Sequence, residues 1–175
     1  MGTSQSRPEG VDPRIWTALL SVNPTGQRPA WHGCPKVTGV LRGVTPAMAV
    51  WRPYAGANHI REIALHIAFW ENSVASRLSG ERVRLTFAQR KTGWAAPCDP
   101  LADEQWRDEV GLVWAARQRL VEAVAAADPE RLDEPIGDRS ARPTIEYIHG
   151  VAEHSLYHTA QLRMLRRLAE EAGVG

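Results

Sequence analysis

Apolar positions recur every three to four residues over three long stretches of the 175-residue chain, the spacing of helices that bury one face. In the first stretch Ile60, Ile63, Ile67, Trp70, Val74 and Leu78 mark the buried face of a helix that Asn58 can cap and that runs to about Ser79. The second runs from about Ala102 to Ala127, buries Trp106, Val110, Val113, Leu120, Val121 and Val124, and stops at Asp128-Pro129. The third begins at Thr144 as its cap and reaches about Ala172, with Gly173 placed to end it. Shorter helical pieces are predicted over 35–51, broken by Gly43 and restarted by Thr45-Pro46, a cap followed by the proline favoured at the first helical position. Gly80 to Leu101 holds Gly93, Pro97 and Pro100 and reads as a long loop. No repeat, heptad array or convincing strand is present, so the pattern predicts an all-α protein. Upstream, residues 1–11 are expected to be a disordered lead. An apolar segment follows at Asp12–Asn23 (Ile15, Trp16, Leu19, Leu20), and one domain is expected over 12–175.

Several polar residues fall where these patterns call for apolar ones. At about 100° per residue, His154 and His158 share the face of Val151, Leu162 and Leu165 on the last helix, and Gln161 lies on it one turn after His158. Histidines four apart on one face can bind one divalent cation. The segment His154-Ser155-Leu156-Tyr157-His158 lacks the glutamate of the HExxH metalloproteases, which excludes that class. His66, on the flank of the first long helix's apolar face, is the candidate third ligand, and His59 and Glu62 lie on the same side. The alternative is that these are core histidines with ordinary hydrogen bonds. Gln161 then has two readings, orienting a ligand or simple helix packing. Arg117 interrupts the apolar stripe of the second long helix. It either holds a carboxylate of a bound molecule or pairs with an acid such as Glu62. Trp70 and Trp106 read as core.

Composition narrows the classes. Twenty-one basic against twenty acidic residues leave a formal net charge of +1, which argues against a general nucleic-acid binder. Only Lys36 and Lys91 are lysines, and with the abundant alanine this suggests a GC-rich genome. Cys34 and Cys98 stand in no CxxC pattern, so neither a disulfide framework nor a zinc ribbon is indicated. No apolar stretch is long enough for a membrane span and the polar start is unlike a signal peptide, so a cytoplasmic protein is expected.

The segment Trp51-Arg52-Pro53-Tyr54-Ala55-Gly56-Ala57-Asn58-His59-Ile60 through Glu71, containing His66, resembles the DinB/YfiT-like superfamily, in which a proline- and glycine-containing turn leads into a helix bearing a metal-binding histidine. His154-Ser155-Leu156-Tyr157-His158-Thr159-Ala160-Gln161 is similar to that family's HxxYHxGQ signature, with Ala160 where glycine is common. Ala30-Trp31-His32-Gly33 resembles one branch of it as well. The resemblance implies a four-helix bundle, here with an extra short N-terminal helical segment. It also implies a divalent cation, commonly nickel or zinc, on His66, His154 and His158. His32 could then reach the mouth of the site, and His32 or His59 could supply a fourth ligand. The implied activity is that of a metal-dependent enzyme, most readily a thiol-dependent S-transferase using a thiol such as bacillithiol or mycothiol, with hydrolase and isomerase as related chemistries. The other implied class is a non-catalytic stress-response protein with a structural metal. A homodimer, a small-molecule substrate and no nucleic-acid partner complete the expectation. Imidazole's ordinary pKa of about 6.5 predicts that cation affinity falls below that pH.

Overall fold

A computed structural model describes residues 36–91, 93–98, 100–136 and 141–175. The lead, the Asp12–Asn23 segment, His32 and Cys34 lie outside the described residues. Two short helices, α1 (Val37–Leu41) and α2 (Pro46–Val50), precede three long ones, α3 (Ile60–Ser79), α4 (Asp103–Ala125) and α5 (Thr144–Glu171). The all-α reading therefore stands. The loop holds one element the pattern did not announce, an antiparallel ribbon of β1 (Gln89–Lys91) and β2 (Trp94–Ala95). Among the described residues, no helix is long and apolar enough to cross a membrane.

Local chemistry sets the helix ends. Thr45 accepts a hydrogen bond from the Met48 amide and Pro46 follows it, as expected for the start of α2. The cap of α3 is His59 rather than Asn58. Its Nδ1 accepts from the Glu62 amide while the Glu62 carboxylate accepts from the His59 amide, a reciprocal capping box. Gly80, at φ 75°, ends α3 in the left-handed conformation that glycine adopts freely.

Two apolar clusters organise the interior, and their membership gives the helix directions. One joins α1 and α2 to the first half of α3 (Ile60, Ile63, Ile67), the first half of α4 (Trp106, Val113) and the second half of α5 (Leu162, Leu165). The other joins the second halves of α3 and α4 (Val74, Leu120, Val124) to the first half of α5 (Ile148, Val151). So α3 and α4 run in the same direction and α5 runs against both. A parallel pair obliges the chain to travel back along the bundle before α4 can start. At 1.5 Å per residue the 20 residues of α3 span about 30 Å, and the connection from Gly80 to Ala102 covers that return.

Charged pairs fasten the return segment and the helices. Arg61, 2% exposed, places Nε and Nη2 on the two carboxylate oxygens of Glu109 at 2.6 and 2.7 Å, and Nη1 on the Ala96 carbonyl at 2.8 Å. The Trp106 indole donates to the Val44 carbonyl at 2.8 Å, tying α4 to the α1–α2 turn, and Arg166 donates to the carbonyls of Val40 and Arg42. A buried charge stripped of its partner is costly, whereas an apolar replacement of both partners is often neutral. Glu109→Ala is expected to lower stability by about 3–5 kcal/mol. The combined Arg61→Met, Glu109→Leu protein should recover most of that loss, as read by urea unfolding. A single variant as stable as the parent would show the pair to be without consequence.

Candidate metal centre

Between the two apolar clusters, α3 contributes His66 and α5 contributes His154 and His158. One ring nitrogen from each lies within 4.8 Å of the other two. Nε2 of His154 stands 3.2 Å from Nε2 of His66, and the His154 and His158 ring centres are 4.5 Å apart. His66 and His158 are each 7% exposed and His154 is half-buried. Among the described residues, no other histidine, cysteine or acid joins the three.

The outer nitrogens of two rings are held in place. His66 Nδ1 is 3.1 Å from the Gly93 carbonyl oxygen, which only accepts, so Nδ1 carries the proton and Nε2 is left with a lone pair aimed inward. His158 Nδ1 is 2.7 Å from Gln161 Oε1, another acceptor, with the same result. His154 Nδ1 is buried with no hydrogen-bond partner among the described residues. Two lone-pair nitrogens therefore converge on a third ring whose polar valences are not otherwise met. That is the donor chemistry a divalent cation of the zinc or nickel kind requires, and the residues fit it.

Burial also keeps the rings neutral. Removal from water lowers the pKa of His66 to about 4, against the opposing hydrogen bond to Gly93, and lowers that of His154 to about 4 with help from its two neighbours. His158 shifts down for the same reason, partly offset by Gln161. Neutral imidazole is the form with a free lone pair. The expected loss of cation affinity below pH 6.5 moves accordingly towards pH 4.

The ribbon supplies what the sequence pattern did not show. Gly93 sits at φ 72° in the β1–β2 turn, and a Cβ there would lie 2.7 Å from the Phe69 ring, so the turn reaches His66 only because it is glycine. Gln89 accepts from the Gly93 amide at 3.0 Å and steadies the turn. Trp94 stacks on His66 at 3.9 Å between ring centres. Trp70, expected in the core, is 38% exposed and stands edge-on to both His66 and His154, at the rim of the cluster. The Gly93-Trp94 pair was visible only as a turn signal inside a loop.

Other expected residues are placed elsewhere. Gln161 orients His158, one of its two readings. His59 and Glu62 are occupied with each other at the start of α3, where Arg52 at 2.8 Å and Arg90 at 3.5 Å also reach Glu62. Burial alone would raise the Glu62 pKa, but the Arg52 and His59 hydrogen bonds outweigh it and the net shift is downward. His59, also held near pKa 4 by burial, does not join the three histidines. Arg117 does not reach Glu62. It pairs with Glu71, a fully buried acid that also accepts from Ser155 Oγ at 2.7 Å. Burial raises the Glu71 pKa despite Arg117 beside it. This polar layer, linking α3, α4 and α5 next to the histidines, carried no signal beyond Arg117 itself.

Gly93→Ala is expected to destabilise the protein by about 1–2 kcal/mol from backbone strain alone, with the Phe69 clash added. It should also remove the hydrogen-bonded Nδ1 proton of His66 from the NMR spectrum. An unchanged Nδ1 resonance would show that the turn does not hold the ring. In comparisons with known proteins, no curated protein and no solved structure matches the chain. A sequence profile of the DinB superfamily matches residues 35–162, well over half its length. The chain belongs to the DinB superfamily.

Proposed function

We propose that His66, His154 and His158 bind one divalent cation, nickel or zinc, and that the protein is a metal-dependent enzyme, a thiol-dependent S-transferase before a hydrolase or isomerase. The observation carrying this reading is the convergence of three neutral imidazoles, two with their outer nitrogen fixed on an acceptor. The cation, when bound, supplies Lewis acidity that favours a thiolate or hydroxide near neutral pH. The chain's own residues perform the rest. Gly93 and Gln161 set the ring tautomers, and Trp94 covers one face of His66. Trp70 forms an exposed apolar rim against which the organic part of a second substrate can lie. Bacillithiol or mycothiol is the class of thiol that the family resemblance brings to this reading, together with a homodimer in the cytoplasm.

A second reading is a cation that only ties α3 to α5, with no reaction, in a stress-response protein. The 7% exposure of both His66 and His158 favours it. The two readings separate on access. Metal analysis by mass spectrometry should find near one cation per chain in the parent protein and little in His158→Ala. If so, adding a low-molecular-weight thiol to the cobalt-substituted protein should produce a thiolate-to-metal absorption band. Metal without the band supports the closed clip, and little metal in both proteins rejects the site.

The pH response follows from the downward shifts. A histidine whose folded pKa lies below its unfolded value favours folding fully above about pH 6.5, because below it the unfolded chain takes up the proton first. That contribution is lost as pH falls towards about 4, where the folded rings protonate. Cation occupancy at pH 5 is therefore expected to remain high and to collapse near pH 4. Collapse already at pH 6 would contradict neutral, buried ligands.

A further inference from the structure

Beside the Gly93 turn lies a groove of about 970 Å³, bounded by the second half of α3 and the segment after Gly80. Its walls bring together Arg77, Arg82 and Arg84, and no aspartate or glutamate lines it among the described residues. Arg77 lies over the Tyr147 ring, 5.5 Å from its centre, which fixes its plane at the groove wall. Arg82 and Arg84 have no ion pair or side-chain hydrogen bond among the described residues. Arg61, Arg117 and Arg166 are instead committed to carboxylates or carbonyls, while Arg82 and Arg84 are exposed. Ser76 also lines the groove.

We infer that this groove is a binding site for a small organic anion carrying two or more negative charges, as carboxylates or phosphates. Guanidinium groups match the planar oxygens of either group, and the charge-assisted hydrogen bonds formed are about twice as strong as neutral ones. The cavity volume falls in the range of small-molecule sites, roughly 300–1,000 Å³. The chain's near-zero net charge argues against a broad electrostatic surface for nucleic acid. The site does not depend on the histidines. It adjoins them, since Phe69 and Gln89, which line the groove, are the residues packed against and bonded to Gly93.

The test is calorimetric titration of the full chain, as purified, with succinate as the dicarboxylate and glycerol 3-phosphate as the phosphate. Whichever binds more tightly identifies the charged group preferred. The proposal expects saturable binding that weakens as salt is raised. The combined Arg82→Ala, Arg84→Ala protein should bind at least about tenfold more weakly. His158→Ala should bind as the parent does. Binding lost in His158→Ala belongs to the cation and overturns the proposal. So does binding that survives the double arginine substitution, the absence of binding to either anion, or tighter, saturable capture of a single-stranded oligonucleotide by the same arginines.

Discussion

A polar layer in the middle of a helical bundle is the constraint on which the rest of this structure depends. Three imidazoles and the Glu71–Arg117–Ser155 group interrupt what would otherwise be one continuous apolar interior, leaving a cluster at either end. Each of these groups costs free energy to bury unless partners reach it. Glu71, Arg117 and Ser155 come from three different helices, so this part of the layer specifies how the helices sit against one another. Ser155 adjoins His154 in sequence, and its hydrogen bond to Glu71 pins α5 against the helix that carries His66. The rotation of α5 that presents both of its histidines is thereby tied to a bond next to the cluster.

The parallel run of α3 and α4 has a consequence for the same layer. The return segment it demands lies along the outside of α3, and there it forms the ribbon whose turn supplies the Gly93 carbonyl. A direct antiparallel hairpin of α3 and α4 would need only a few residues and would bring no backbone acceptor to His66. The connection is therefore part of the centre, and Arg61 on Ala96 and Glu109 helps keep it seated.

Much of this was legible in the sequence because helical periodicity is a local property. The three long helices, the restart at Thr45-Pro46 and the inward direction of His154 and His158 all follow from residues within a few turns of one another. The misplaced cap of α3 is instructive. Asn58 has the better intrinsic capping preference, yet His59 is the residue whose third successor, Glu62, can return the bond. Three features were not legible: the ribbon, the partner of Arg117 and the exposure of Trp70. The ribbon pairs residues only three to six positions apart, but its strands are too short for an alternating pattern to announce them, whereas the partner of Arg117 depends on a contact between residues far apart in the chain. Glu71 and Arg117 are 46 positions apart, and a carboxylate one residue beyond Trp70 on an otherwise apolar helix gives no local sign of what it will face.

The tautomers give the strongest physical distinction between a hydrogen-bonded histidine core and a metal centre. In an ordinary core each imidazole donates from one nitrogen and accepts at the other, and three rings can close such a set among themselves and the backbone. Here the donors of His66 and His158 are used up on the outside, by Gly93 and Gln161. The interior is left with two acceptors and one ring, His154, that has a single ring proton to offer. If that proton sits on Nε2 it serves His66 and leaves both His158 Nε2 and His154 Nδ1 without a donor; if it sits on Nδ1 it meets no acceptor among the described residues. No arrangement of the protons satisfies the cluster from within. A cation held by the three inner nitrogens would take up all of their lone pairs and leave only the His154 Nδ1 proton without a partner among the described residues.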